Sequence, residues 1–187
     1  MPPLYAVAYE NFVEVLRKVM WISMMKRGMT RREREVTDPV EILKILDKCK
    51  ILHLGLVDGD EPYVVPMNYG YTMEEGALTL YLHCATAGYK LDLIRKNPKV
   101  FFEMECDVEM FEGELPCQFG NTYASIMGRG KGVLVEDVEG KKEALKIFMK
   151  SQTGKDFDFT DKMVGIVTII KIPVSEYTAK CRLLPGA

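Results

Sequence analysis

Residues 62–98 read PYVVPMNYGYTMEEGALTLYLHCATAGYKLDLIRKNP. The segment parses as strand, turn, strand and short helix. Tyr63 to Tyr71 alternates as a strand, Met73–Gly76 supplies a turn, and Ala77–His83 alternates again. Both are half-buried strands by their period of two. Gly88 to Lys96 then takes helical spacing and stops at Asn97-Pro98, because the residue before a proline is pushed out of the helical region. The second strand ends in His83-Cys84-Ala85-Thr86, and the helix opens through Gly88 with Lys90 in its first turns. A cation, a hydroxyl and free backbone N–H groups at a strand-to-helix junction are what a phosphate monoester needs.

Outward from this segment the pattern stays regular. On the N-terminal side, Asp38-Pro39 is an N-cap and first-turn pair for the helical run PVEILKILDKC. Ile51–Val57 alternates and meets the strand from Tyr63 across Asp58-Gly59-Asp60, a strong hairpin signal. On the C-terminal side, Lys99–Glu105 reads as a strand and the acidic Asp107–Gly120 as a loop. Tyr123–Glu136 is a long strand, Asp137–Ser151 a helix with an apolar stripe, and Val164–Tyr177 a closing strand. Six or seven strands joined by hairpins, with few helices, point to a small antiparallel barrel of the α+β class, mainly β. Gly128, Gly130 and Gly132 fall at alternate positions inside a strand rather than between a strand and a helix. They therefore predict a bulge or the close approach of another backbone, not a dinucleotide loop.

Residues 1–29 stand apart from the domain expected over 30–187. Tyr5–Met25 has apolar residues near helical spacing, but Glu10, Glu14, Arg17 and Lys18 interrupt it. The segment predicts an amphipathic helix packed on the body or on a partner, followed by the basic linker KRGMTRRER, and neither a membrane span nor a signal peptide.

Composition narrows the function. The 187 residues are 48% apolar and 28% charged, with a net charge of −2, which suits a soluble globular domain. No basic surface advertises nucleic acid or an anionic membrane. Five cysteines without a C-x-x-C pair predict reduced thiols in a cytoplasmic protein, and Cys84 and Cys117 read as small buried side chains. No metal site is expected, since only His53 and His83 could join the cysteines and none has finger spacing.

Three strings taken together resemble a known family: Pro62–Gly70, Tyr81–Ala85, and Gly88–Asp92 with Asn97–Val100. Their order and spacing, with Tyr123-x-Ser125-Ile126-Met127-Gly128 and the final strand, are similar to the pyridoxamine 5′-phosphate oxidase-related superfamily, and within it to the nitroimidazole-resistance type of flavoproteins. The resemblance covers roughly Thr30–Lys180. It implies an FMN-binding split β-barrel with peripheral helices, dimerising with a flavin at the subunit interface. It also implies that Val65, Pro66, Met67, Asn68 and Tyr69 lie along the flavin ring. The phosphate end falls to Thr86, Gly88 and Lys90, with His83 between the two ends, Cys84 and Ala85 also in the cofactor site, and Tyr123 and Ser125 as phosphate or ring contacts from a neighbouring strand. His83 stands where the family has a histidine close to the flavin, as a proton donor or substrate clamp. The chain lacks the second basic cluster of enzymes that oxidise phosphorylated vitamin B6, so that activity is not expected. The activity implied is reduction of a small electrophile such as a nitroaromatic with NAD(P)H-derived electrons. The alternatives are a flavin carrier without turnover, and a barrel binding haem or a deazaflavin.

Overall fold

A computed structural model describes residues 29–184, so the expected N-terminal helix over Tyr5–Met25 and the first three residues of the basic linker lie outside the described residues. The chain divides between Glu33 and Arg34, and the fold below is that of the second unit, Arg34–Ala187. Nine strands and four helices follow in the order β1 (Glu35–Val36), α1 (Pro39–Lys48), β2 (Ile51–Asp58), β3 (Glu61–Asn68), β4 (Gly70–Glu74), β5 (Ala77–Cys84), α2 (Tyr89–Lys96), β6 (Lys99–Phe111), β7 (Gly120–Lys131), β8 (Val133–Val135), α3 (Val138–Thr153), α4 (Asp161–Val164) and β9 (Thr168–Arg182).

Local chemistry explains most of these boundaries. The Asp38 carboxylate accepts from the Val40 N–H at 2.9 Å and Pro39 opens α1, which buries Ile42, Ile45 and Leu46. Gly59, at φ 66°, turns β2 into β3 with Asp58 opposite Glu61. Glu75 and Gly76 both take positive φ and reverse β4 into β5, the backbone that matches the twist of a two-residue hairpin.

All pairings are antiparallel, and the sheet runs β3-β2-β6-β7-β9-β5-β4. Its two terminal strands, β3 and β4, are separated in sequence by Tyr69 alone. The order therefore closes through the chain itself, while the outer edge of β3 has no ladder partner among the described residues. That is a split barrel. β9 joins its halves: Thr168–Pro173 pairs with β5, and Val174–Arg182 pairs with β7.

Leu52, Leu54 and Leu56 of β2 fill the barrel together with Leu78, Leu80 and Leu82 of β5 and Phe102 and Met104 of β6. α1 and α2 add Leu46 and Leu91 to the same core. α3 forms a second, smaller cluster, where Ala144 and Leu145 meet Val164, Ile169 and Tyr81.

The structure corrects four expectations. Cys117, expected to be buried, is exposed. The loop expected over Asp107–Gly120 is shorter, running from Glu112 to Phe119, because Asp107 takes φ 56° and absorbs a bulge, after which pairing resumes at Glu109 opposite Thr122. The Thr122 hydroxyl seals that bulge by donating to the Asp107 carbonyl at 2.7 Å. The strand expected from Tyr63 to Tyr71 breaks at Tyr69, whose buried hydroxyl donates to the Leu46 carbonyl at 2.8 Å. The closing strand begins at Thr168 rather than Val164, since Thr160 caps a single turn that ends at Gly165.

The alternating glycines behave as their spacing predicts. The ladder between β7 and β9 slips between Arg129 and Gly130. A Cβ on Gly130 would stand 2.5 Å from the Pro173 carbonyl oxygen, and one on Gly128 would stand 2.6 Å from that of Glu176. Gly132 is roomier, with Ile94 Cγ2 nearest at 3.3 Å. Gly130→Ala and Gly128→Ala are therefore expected to lose about 2 kcal/mol or more, as overpacking against backbone does. Gly132→Ala should lose clearly less, measured as urea midpoints at constant slope; equal losses at the three positions would contradict this reading.

Candidate cofactor site

The free edge of β3 is the natural starting point, because an unpaired strand edge carries a row of N–H and C=O groups with no partner in the sheet. The alternation of β3 turns Val65 and Met67 toward the core and leaves Val64 and Pro66 exposed. At its C-terminal end, the Asn68 amide donates to the Lys50 carbonyl at 3.1 Å, and Tyr69 is fully buried. Of the five residues expected along a flavin ring, Met67 and Tyr69 thus offer backbone rather than side chain. Pro66 borders a recess of 360 Å³ that it shares with His53 and Glu105.

The strand-to-helix junction carries the residues expected at the phosphate end. β5 ends at Cys84 opposite Thr168, Ala85 to Gly88 are exposed, and Lys90 is half-buried in the first turn of α2. Gly88 is the N-cap at φ 148° and supplies no side chain to the N–H groups that follow. Lys90 lies close enough to act on Cys84: burial pushes the thiol up, and the Lys90 ammonium opposes that rise. Cys84, Gly88 and Lys90 are therefore brought together, with Ala85 and Thr86 on the loop between them.

A set of contacts overlooked in the sequence ties this junction to β3. The Tyr89 hydroxyl donates to the Asp58 carboxylate at the β2–β3 turn, and the Tyr89 ring meets that of Tyr63 edge-on at 5.4 Å. Lys96 adds a longer contact to Asp58 at 3.8 Å. Tyr63 and Tyr89 were readable only as a strand residue and a helix residue; nothing in their spacing announces a meeting.

His83, Tyr123 and Ser125 sit elsewhere. Successive strand residues face opposite sides, so Leu82 and Cys84 approach the barrel core while the His83 ring packs edge-on against Phe148 of α3 at 4.5 Å. Tyr123 and Ser125 flank the core residue Ala124 on β7, where Glu105, Lys180 and Arg182 are their ladder neighbours. Ser125 is buried, and the Tyr123 hydroxyl accepts from Arg34 at 3.5 Å.

On β2 and β6, His53, Glu103 and Glu105 form a group whose potential ligand atoms lie within 4.8 Å of one another. The Glu103 carboxyl is held above the usual range by burial and then by Glu105.

His83 carries a testable electrostatic signature. Its Nδ1 is buried without a hydrogen-bond partner, and burial holds the imidazole below its ordinary value of 6.5. A depressed folded value means that the neutral form is favoured by folding. Its contribution is complete above 6.5 and is lost as pH falls through the folded value. The melting temperature of the protein should thus drop on acidification from about pH 6.5 to about pH 5. His83→Gln should remove part of that slope, and an identical slope in the variant would refute the assignment.

Comparison with known proteins agrees with this architecture. The family description "Pyridoxamine 5′-phosphate oxidase" matches residues 38–181, from the cap of α1 to the end of β9. A Bacteroides thetaiotaomicron protein, provisionally described as a 5-nitroimidazole antibiotic resistance protein, is 32% identical with a TM-score of 0.68, over 79% of this chain and 86% of that one. Two more distant structures share the fold. The flavocytochrome Anf3 of Azotobacter vinelandii is 18% identical with a TM-score of 0.69, over 85% of this chain and 74% of its own. The FAD and heme binding protein of Mycobacterium smegmatis is 14% identical with a TM-score of 0.67, over 79% and 73%. No curated protein matches the chain. With a family match running through every element from α1 to β9, and a relative at 32% identity on the same split barrel, this chain belongs to the pyridoxamine 5′-phosphate oxidase family.

Proposed function

We propose that the protein is an FMN-binding oxidoreductase that works as a homodimer and reduces a small electrophile such as a nitroaromatic with electrons from NAD(P)H. The observation that carries this reading is the unpaired edge of β3 tied, through Tyr63 and Tyr89, to a helix start bearing Gly88 and Lys90.

These residues fit the cofactor in kind. A phosphate monoester carries between one and two negative charges near neutral pH. Lys90 supplies a positive charge, Thr86 a hydroxyl, and the start of α2 its N–H groups, which also present the positive end of the helix dipole. The N–H and C=O groups of β3 between Val65 and Tyr69 suit the polar edge of a flavin, as does the Asn68 side chain. Bound FMN would supply the redox chemistry, taking a hydride from the nicotinamide donor and passing electrons to the acceptor. The chain's own task is to hold and orient the two ends of the cofactor. His83, neutral and facing α3, could assist the site from behind β5 only through its unpaired nitrogen; we propose no proton transfer through it. The relative described in terms of 5-nitroimidazole resistance favours a nitroaromatic acceptor.

The outer face of the barrel supports the dimer reading. Val64 and Phe101 flank Gly55 in register across β3, β2 and β6, and Val57 and Met127 extend the same apolar face. Val64, on the edge strand, is 61% exposed. A second copy of the chain covering this face would remove it from water and give the open β3 edge a second wall.

Two measurements test the proposal. The purified protein should carry or take up FMN, and Lys90→Ala should weaken FMN binding by roughly tenfold to a hundredfold, the scale of one charge-assisted hydrogen bond. Unchanged affinity would remove Lys90 from the site. In sedimentation velocity the protein should run as a dimer, and Val64→Glu should yield monomers with weakened flavin binding; a monomeric parent protein would overturn the interface.

A further inference from the structure

We infer that Tyr89 and Asp58 are positioning residues for the phosphate-binding turn, a role that rests on the FMN reading above and extends it to residues that need not touch the cofactor. The turn from Ala85 to Gly88 is exposed along its whole length. Gly88 holds φ 148°, a conformation that glycine adopts readily but does not enforce. No side chain caps the helix that follows. What anchors the start of α2 laterally is the hydrogen bond from the Tyr89 hydroxyl to the Asp58 carboxylate, thirty-one residues away in sequence. The edge-on Tyr63 ring and the Lys96 ammonium complete the anchor, on Tyr89 and Asp58 respectively.

Burial does not explain Tyr89, since its side chain is about half exposed, at 51%. Its hydroxyl nonetheless makes a bond to a charged acceptor that joins the β2–β3 turn to the first helical residue after the proposed phosphate turn. Asp58 is the last residue of β2, so the bond joins β2 to α2, and the Tyr63 ring adds β3. With it in place, the first turn of α2, which carries the N–H groups after Gly88 and the Lys90 side chain, is fixed against the β2–β3 turn. Without it, the exposed turn must be ordered when the ligand binds, and that ordering is subtracted from affinity. The penalty falls on the phosphate end of the ligand and not on the ring.

The test compares FMN with riboflavin, which has the same ring and no phosphate, by fluorescence titration of the full-length protein. Tyr89→Phe and Asp58→Asn should each weaken FMN by about three- to tenfold, less than the loss of a direct charge-assisted contact because only the ordering of the turn is forfeited, and leave riboflavin affinity unchanged. The double variant should lose no more than either single one, because the two residues act as a unit. Normal FMN affinity in Tyr89→Phe would overturn the inference, as would equal losses for FMN and riboflavin. Lys90→Ala separates the two levels of the argument. If it too leaves the FMN-to-riboflavin ratio intact, the phosphate is not held at this turn and both readings fall. If it changes the ratio while Tyr89→Phe does not, only the positioning role falls.

Discussion

Tyr69 sits where one strand order has to close on itself. β3 and β4 occupy opposite ends of the sheet yet are one residue apart in the chain, so the sheet must curl until its ends meet with no ladder between them. Three interactions hold that corner. The Tyr69 hydroxyl donates to the Leu46 carbonyl of α1, its carbonyl accepts from Gln152 of α3 at 2.6 Å, and Gly70 lies so close to α3 that a Cβ would stand 2.8 Å from the Phe148 nitrogen. Burying the phenol without a partner would cost on the order of 1–3 kcal/mol, so the contact with Leu46 is what lets a tyrosine occupy the core. Because closure is covalent, β3 keeps an open edge.

That open edge gives the rest of the architecture its functional sense. Closed barrels remove their edges, and proteins ordinarily blunt those that remain. Here the edge adjoins a helix start with an uncapped first turn and a lysine, and aromatic contacts bind the two together. The same sheet presents its apolar outer residues around Gly55, where the missing side chain leaves Val64 and Phe101 prominent. The open edge and the exposed apolar residues on neighbouring strands are what the proposed second subunit and cofactor would cover.

β9 supplies the second constraint. It pairs with β5 over its first part and β7 over its second, and the change of partners coincides with the slip at Gly130. Gly128 and Gly130 are bare because the β9 backbone comes too close for side chains.

Much of this was legible in the chain. The hairpins at Asp58-Gly59-Asp60 and Glu75-Gly76, the cap at Asp38-Pro39 and the short helix into Asn97-Pro98 are local: each depends on residues within a turn of one another. Family resemblance across Pro62–Val100 carried the split barrel and the junction at Gly88 and Lys90. The bulge at Asp107 was not legible, because acidic residues and a proline hid a hairpin whose register is set by Thr122 fifteen residues on. The strand period parts His83 from Cys84, its neighbour in sequence, but it could not show that one meets α3 and the other lies toward Lys90. By itself the sequence determined the elements, their turns and the residue types at the junction. Only the tertiary structure decided which strand edge stays open, which side of β5 each residue takes, and that Tyr89 reaches Asp58. Those outcomes depend on contacts between segments far apart in the chain, and local propensity carries no information about them.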